Sequence, residues 1–397
     1  MINETMYKLG SKRSVIREIF EYANARRAQI GAENVFDFSI GNPSVPAPAQ
    51  VTDAVKRLTE ELDPVSLHGY TSAQGDACVR RAIAEYLNRT HGSSISPDSI
   101  YMTCGAAASL CISVKALCSS PEDEFITFTP FFPEYRVFVE SAGAVLVPVE
   151  SDDTTFQIDI DRLRAAITEN TKGVIVNSPN NPSGVVLTED CIKALCSTLQ
   201  EFSEKYGHPI YLITDEPYRE LVYGDSTVPF VPNYYDNTIV CYSFSKSLSL
   251  PGERIGYIAL CNKMEDERRV WAAICGAGRA LGYVCAPSLF QRVVAECLGL
   301  TADTSVYKTN RDLLYGALTS YGYECVYPDG AFYLFVKTPV ADAGEFCLKA
   351  RDFELLLVPA DDFGTPGFVR IAYCVTTEQI ERALPAFKAL MDFYKEA

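Results

Sequence analysis

The chain has 397 residues, 48% hydrophobic and 22% charged, and a formal net charge of −16 from 51 acidic and 35 basic side chains. At roughly 150 residues per domain, that length suggests two or three units with sizeable cores. The acidic balance excludes a surface built to grip phosphate backbones, though not a local cationic pocket for a small anion.

Fourteen cysteines and three histidines (His68, His91 and His208) contain no Cys-x-x-Cys pair, so zinc-type spacing is absent and no metal is expected. Cys104, Cys111 and Cys118 recur at seven-residue steps, which on a helix is one face. Small buried thiols in such number suit a reducing cytoplasm. The opening MINETMYKLGSKRS lacks an apolar signal core, and no run of ~18 apolar residues appears, so no membrane span is expected.

In chain order, residues 14 to 30 read as an amphipathic helix with Val15, Ile16, Ile19, Phe20 and Ala23 on one face and Gly31 ending it. FDFSIGNPSVPAP follows, an extended stretch whose prolines mark a crossing between units. From about 50 to 290, short β-branched runs alternate with helical ones. The runs are SIYMT (99–103), EFITF (124–128), AVLVPV (144–149), GVIVN (173–177), IYLIT (210–214), TIVCYS (238–243) and RIGYIAL (254–260). This alternation predicts a three-layer α/β/α domain with a mainly parallel sheet. Helices over 289–299 and 304–320 lead on to FYLFVK, ELLLVP, the strand FVRIAYC and a last helix. Thr376 and Gln379 form a capping box for that helix, and Pro385 should bend or shorten it. The expected organisation is an N-terminal arm (1–48), a large domain (49–290) and a smaller α+β domain (291–397) that also takes in the N-terminal helix.

In open α/β sheets ligands bind beyond the carboxyl ends of strands. Four segments place polar groups there. NSPNNPSG (177–184) offers Asn181 on a turn closed by Gly184. DEPYREL (215–221) offers Asp215, a carboxylate that needs a cationic partner if buried, with Tyr218 three residues on. SFSKSLSLPGER (243–254) offers Lys246 among Ser243, Ser245 and Arg254, which together can grip a dianion. CGAAASL (104–110) opens a helix on small residues, Gly105, Ala106 and Ala107, with free N–H groups for an anion. Singly, a turn, a helix cap or a salt bridge would explain each. Together they ask for one ligand with a phosphate, a cationic ring nitrogen, a phenolate-like oxygen and an aldehyde. Pyridoxal 5′-phosphate has all four, and a lysine Schiff base with an acidic pyridinium partner is its signature.

These residues resemble the fold type I, class I/II aminotransferases of the aspartate aminotransferase superfamily. The resemblance runs in order through SIGNP (39–43), GYTSAQG (69–75), CGAAAS, PFFPEY (130–135), NSPNNPSG, DEPYREL, SFSKSLSLPGERIGY, GAFYLF (330–335) and FVRIAY (368–373). It implies that Lys246 forms the internal aldimine, that Asp215 pairs with the pyridinium, and that Asn181 and Tyr218 bond the ring oxygen. Phe132 would stack on the ring. Gly105, Ala106, Ala107, Ser243, Ser245 and Arg254 would form the phosphate cup, and Tyr70 would reach the phosphate of a neighbouring subunit in a homodimer. Arg370 would clamp the substrate carboxylate, helped by the backbone of Gly41. The implied substrates are an L-amino acid, with aspartate as the first expectation, and a 2-oxo acid such as 2-oxoglutarate.

The chain departs from its relatives in two places. PADDFG puts Ala360 where many have glycine, and Asp361 and Asp362 would stand near the substrate side. Ala107 stands where some aspartate-specific relatives carry a lysine. β-Elimination, or cyclopropane formation from a sulfonium amino acid, would use the same anchors. A non-catalytic sensor is a reading of another class, and it usually carries an added DNA-binding domain.

Overall fold

The computed structural model describes residues 2–11 and 15–396. A short exposed helix, Glu4–Ser11, precedes the helix Val15–Ile30; residue 14, where the sequence pattern starts that helix, lies outside the described residues. Strand β1 (Phe36–Asp37) follows. Seven strands then form the large sheet: β2 (Ile100–Thr103), β3 (Glu124–Thr129), β4 (Val145–Glu150), β5 (Thr171–Asn177), β6 (Tyr211–Asp215), β7 (Thr238–Ser243) and β8 (Gly256–Leu260). Their spatial order is β2-β8-β7-β6-β5-β3-β4, and only β8 runs against its neighbours.

Successive residues of these strands point to opposite faces, and both faces are apolar. Ile175, Ile213 and Ile239 pack with helix Ala106–Leu117 and helix Glu267–Leu281 on one side. Val174, Val176 and Leu212 pack with helix Glu189–Tyr206 on the other. That is the three-layer arrangement the alternation predicts. Helix Ser288–Glu296 packs on helices Ala49–Glu61, Pro64–His68 and Ala77–His91, so the apolar cluster of the large sheet extends past residue 290.

The smaller sheet uses β9 (Glu324–Val326), β10 (Tyr333–Lys337), β12 (Val358–Pro359) and β13 (Phe368–Ala372), antiparallel in the order β12-β13-β10-β9. The run ELLLVP splits, its first half forming β11 (Leu355–Leu356), which pairs in parallel with β1. Helices Ser305–Tyr321 and Thr377–Glu396 cover one face of this sheet, and Ile19 and Ala23 of the N-terminal helix cover the other.

Three local expectations are corrected. Only Cys111 of the three spaced cysteines lies within helix Ala106–Leu117; Cys104 precedes it and Cys118 caps it. Pro385 neither ends nor shortens its helix, because it sits on the exposed face, where water can satisfy the carbonyl it frees. The capping box is half-made. Gln379 N–H donates to Thr376 Oγ1 at 3.2 Å, but the Gln379 amide donates to the Asp37 carbonyl instead of reaching back. Among the described residues no helix is long and apolar enough to cross a membrane.

Candidate active site

Three neighbouring parallel strands each end on a polar residue: Asn177 on β5, Asp215 on β6 and Ser243 on β7. They open into a cleft enclosing about 930 Å³ of empty space, its solvent-filled mouth included. The cleft is lined by Gly41, Ala106, Ala107, Phe132, Asn181, Asp215, Tyr218, Ser243, Ser245, Lys246, Arg254 and Arg370, all expected from the sequence. Gly105 lies just behind this lining. Its φ is +86°, which strains any side chain, and a Cβ there would stand 2.8 Å from Arg254 Nη2 and displace that guanidinium, so the turn that opens helix Ala106–Leu117 favours glycine. Tyr70 does not line the cleft and is 98% exposed. Asp361 and Asp362 are also exposed and do not line it, which corrects their expected place near the substrate.

Asp215 is buried. Tyr135 donates a 2.6 Å hydrogen bond to its Oδ2, while Oδ1 has no partner among the described residues. Burial pushes its carboxyl up to about 7, against the Tyr135 hydrogen bond, which lowers it. Lys246 follows Ser243 on a single helical turn, with the Ser243 hydroxyl capping the Ser245 N–H. Its Nζ donates to the Gly41 carbonyl at 2.6 Å and lies 5.4 Å from the centre of the Phe332 ring. Burial lowers its amine to about 8, so a minority is neutral near neutral pH.

Ser243 Oγ donates to Ser245 Oγ at 2.9 Å, and Arg254 Nη1 reaches Ser245 Oγ at 3.4 Å. Two hydroxyls, a guanidinium and the N-terminus of a twelve-residue helix thus converge on one point suited to a dianion. On the opposite wall Arg370 is 3% exposed. Its Nη1 donates to Asn181 Oδ1 at 3.0 Å and its Nη2 to the Ser39 carbonyl at 2.6 Å, while Nε has no partner among the described residues. The guanidinium lies between Tyr333 and Phe363, 4.6 and 5.2 Å from their ring centres.

Gly184, at φ +73°, closes the Asn181 turn, where a Cβ would stand 2.9 Å from the Tyr333 carbonyl. The Asn177 side chain accepts from Asn181 N–H at 2.7 Å and donates to the Asp215 carbonyl at 2.9 Å, tying the two turns together. Asn177, Tyr135 and Tyr333 are the residues that sequence reasoning missed. Asn177 could have been found from its place at a strand end. The two tyrosines sit in the apolar runs PFFPEY and GAFYLF, where periodicity reads them as core.

Residues 33–387 match the profile of the family described as aminotransferase class I and II. A probable aspartate aminotransferase of Methanocaldococcus jannaschii is 29% identical, with 96% of this chain and 98% of the relative aligned. The aspartate/prephenate aminotransferase of Thermus thermophilus is 30% identical, covering 93% and 94%. Among solved structures, an amino transferase from Eubacterium rectale superposes with a TM-score of 0.98 at 58% identity, over 99% of both chains. Thermus thermophilus aspartate aminotransferase with maleate gives 0.85 at 26%, over 98% and 100%.

The cofactor of this family fits the residues present. Asp215 Oδ1 is a buried acceptor lacking a donor, as a pyridinium N–H requires. The cup at Ser243, Ser245 and Arg254 suits a phosphate, and a buried amine of lowered basicity stands in the same cleft. The chain belongs to the class I and II aminotransferases, pyridoxal 5′-phosphate enzymes that act on amino acids and 2-oxo acids.

Proposed function

We propose that this aminotransferase takes the amino group of L-aspartate and passes it to 2-oxoglutarate in two half-reactions. Relatives named for aspartate, aligned over nearly the whole chain, support the donor. The observation that carries the reaction is the meeting, in one cleft, of a weakly basic buried lysine and a buried arginine with an unpaired Nε. When bound, pyridoxal 5′-phosphate supplies an aldehyde that links to amines and a ring that accepts the electron pair released at Cα.

The chain's own residues do the rest. Lys246 Nζ would hold the aldehyde at rest and, when a substrate amine takes its place, would be the base positioned to move the Cα proton. Asp215 Oδ1 would accept the ring N–H, with Tyr135 holding the other oxygen. Tyr218 and the Asn181 amide N–H would donate to the ring oxygen; Asn181 Oδ1 is already engaged by Arg370, which leaves Nδ2 for this. Phe132 would cover the ring, and Gly105, Ala106, Ala107, Ser243, Ser245 and Arg254 would hold the phosphate. Arg370 binds the α-carboxylate, with the Gly41 backbone beside it.

The protein acts as a homodimer in a reducing cytoplasm, with Tyr70 serving the neighbouring site. The bare exposure of Tyr70 and Val65, at 98% and 80%, supports a covering subunit, and fourteen free cysteines support the compartment. A second reading of the donor rests on Ala107, Ile16 and Ile40. They give the cleft an apolar lining with no added cation, which suits a large apolar side chain.

Half-reactions of the purified enzyme with single amino acids, followed by the cofactor's visible band, test both. Bleaching fastest by aspartate supports the first reading, and bleaching fastest by leucine or phenylalanine supports the second. Release of pyruvate and ammonia from a β-substituted donor without an oxo acid would overturn transamination.

A further inference from the structure

Tyr333 opens β10, is 2% exposed and still lines the cleft. Its hydroxyl and that of Tyr218 lie 2.8 Å apart, and either can donate. Neither hydroxyl has another hydrogen-bond partner among the described residues. Two protons therefore serve one bond, and the second is left to point at a ligand. The Tyr333 hydroxyl is fixed in place. It abuts Gly41 so closely that a Cβ there would collide with it, and Arg370 lies over its ring. Burial pushes Tyr333 up to about 12 and Tyr218 well above the ordinary phenol value, so both hydroxyls keep their protons.

We propose that Tyr333 is a positioning residue. It donates to Tyr218, turns the Tyr218 O–H toward the cofactor's ring oxygen, and so ties that oxygen's charge to the strand pair that carries Arg370. β10 pairs with β13, and Tyr333 lies opposite Ala372, two residues beyond Arg370. The groups facing this pair are Arg370, Asp215 and Cys374, with Arg370, Arg254 and Cys374 around Lys246. The inference rests on Tyr218 being the partner of the ring oxygen.

The test is a pH titration of the visible band of the substrate-free holoenzyme. Tyr333→Phe keeps the ring contacts and deletes one donor. Without it the anionic ring oxygen is less stabilised, so the midpoint should rise by roughly half to one pH unit. Tyr218→Phe should raise it by roughly one to two units, and the double variant should match Tyr218→Phe alone. A shift in Tyr218→Phe with none in Tyr333→Phe overturns the relay and keeps the Tyr218 role. No shift in either overturns both. Additive shifts in the double variant, or an unmoved midpoint with a raised KM in Tyr333→Phe, also overturn the relay; the raised KM would mean that the pair donates toward the substrate.

Discussion

The floor and the wall of the cleft are built differently. The floor residues Asn177, Asp215 and Ser243 are the last residues of parallel strands, where ladder hydrogen bonding stops and side chains can turn to a ligand. The wall residues belong to an antiparallel sheet: Tyr333 opens β10, and Arg370 sits opposite Phe335 in the middle of its ladder. A charge placed there must be satisfied locally, and the Asn181 and Ser39 oxygens and two aromatic faces do so. Strand ends thus supply groups free to react, and a strand interior supplies a group held rigidly for recognition.

If this division holds, floor and wall variants should fail in different ways. Lys246→Ala removes the base and should cut transamination by on the order of 10⁴-fold, with loss of the lysine-linked absorbance. Near-normal turnover would break the comparison at its centre. Arg370→Gln should lower kcat/KM by at least about 100-fold, the loss of two charge-assisted bonds to a carboxylate, and should act mainly through KM. A loss confined to kcat would mean that the wall does chemistry. Tyr135→Phe strips one hydrogen bond from Asp215 and should cost about tenfold in kcat with little change in KM.

The last effect is on folding and not on turnover. In the cofactor-free protein Asp215 holds its proton up to about 7, whereas the unfolded chain releases it near the ordinary aspartate value of 3.8. Between those values the folded state binds the extra proton, so this group's contribution falls as pH rises and its penalty is complete above about 7. Asp215→Asn should therefore flatten the melting temperature between about pH 4 and 7, and should raise it above pH 7. An unchanged profile would mean that the floor is wetter than its burial indicates.

The floor was far more legible in the sequence than the wall. Lys246, Asp215 and Asn181 follow apolar runs that end in turn residues, so period and punctuation locate them together. Tyr135 and Tyr333 carry hydroxyls that matter, yet alternation sorts side chains only by face, and a buried phenol looks like a buried phenylalanine. Arg370 was placed by family resemblance and by its apolar strand neighbours; its aromatic sandwich depends on Phe363 from a loop and Tyr333 from another strand, which no local pattern reports. The shortening expected at Pro385 fails because a local rule ignores which side of the helix meets water.

One stretch of main chain has a consequence for how such an enzyme can change. The carbonyls of Ser39 and Gly41, with one residue between them, receive the guanidinium of Arg370 and the amine of Lys246 respectively. A substitution that rotates this segment disturbs both cations together. Changes at 39–42 should therefore alter affinity for the carboxylate and lysine basicity together, whereas changes at Asn181 or Phe363 reach only the guanidinium.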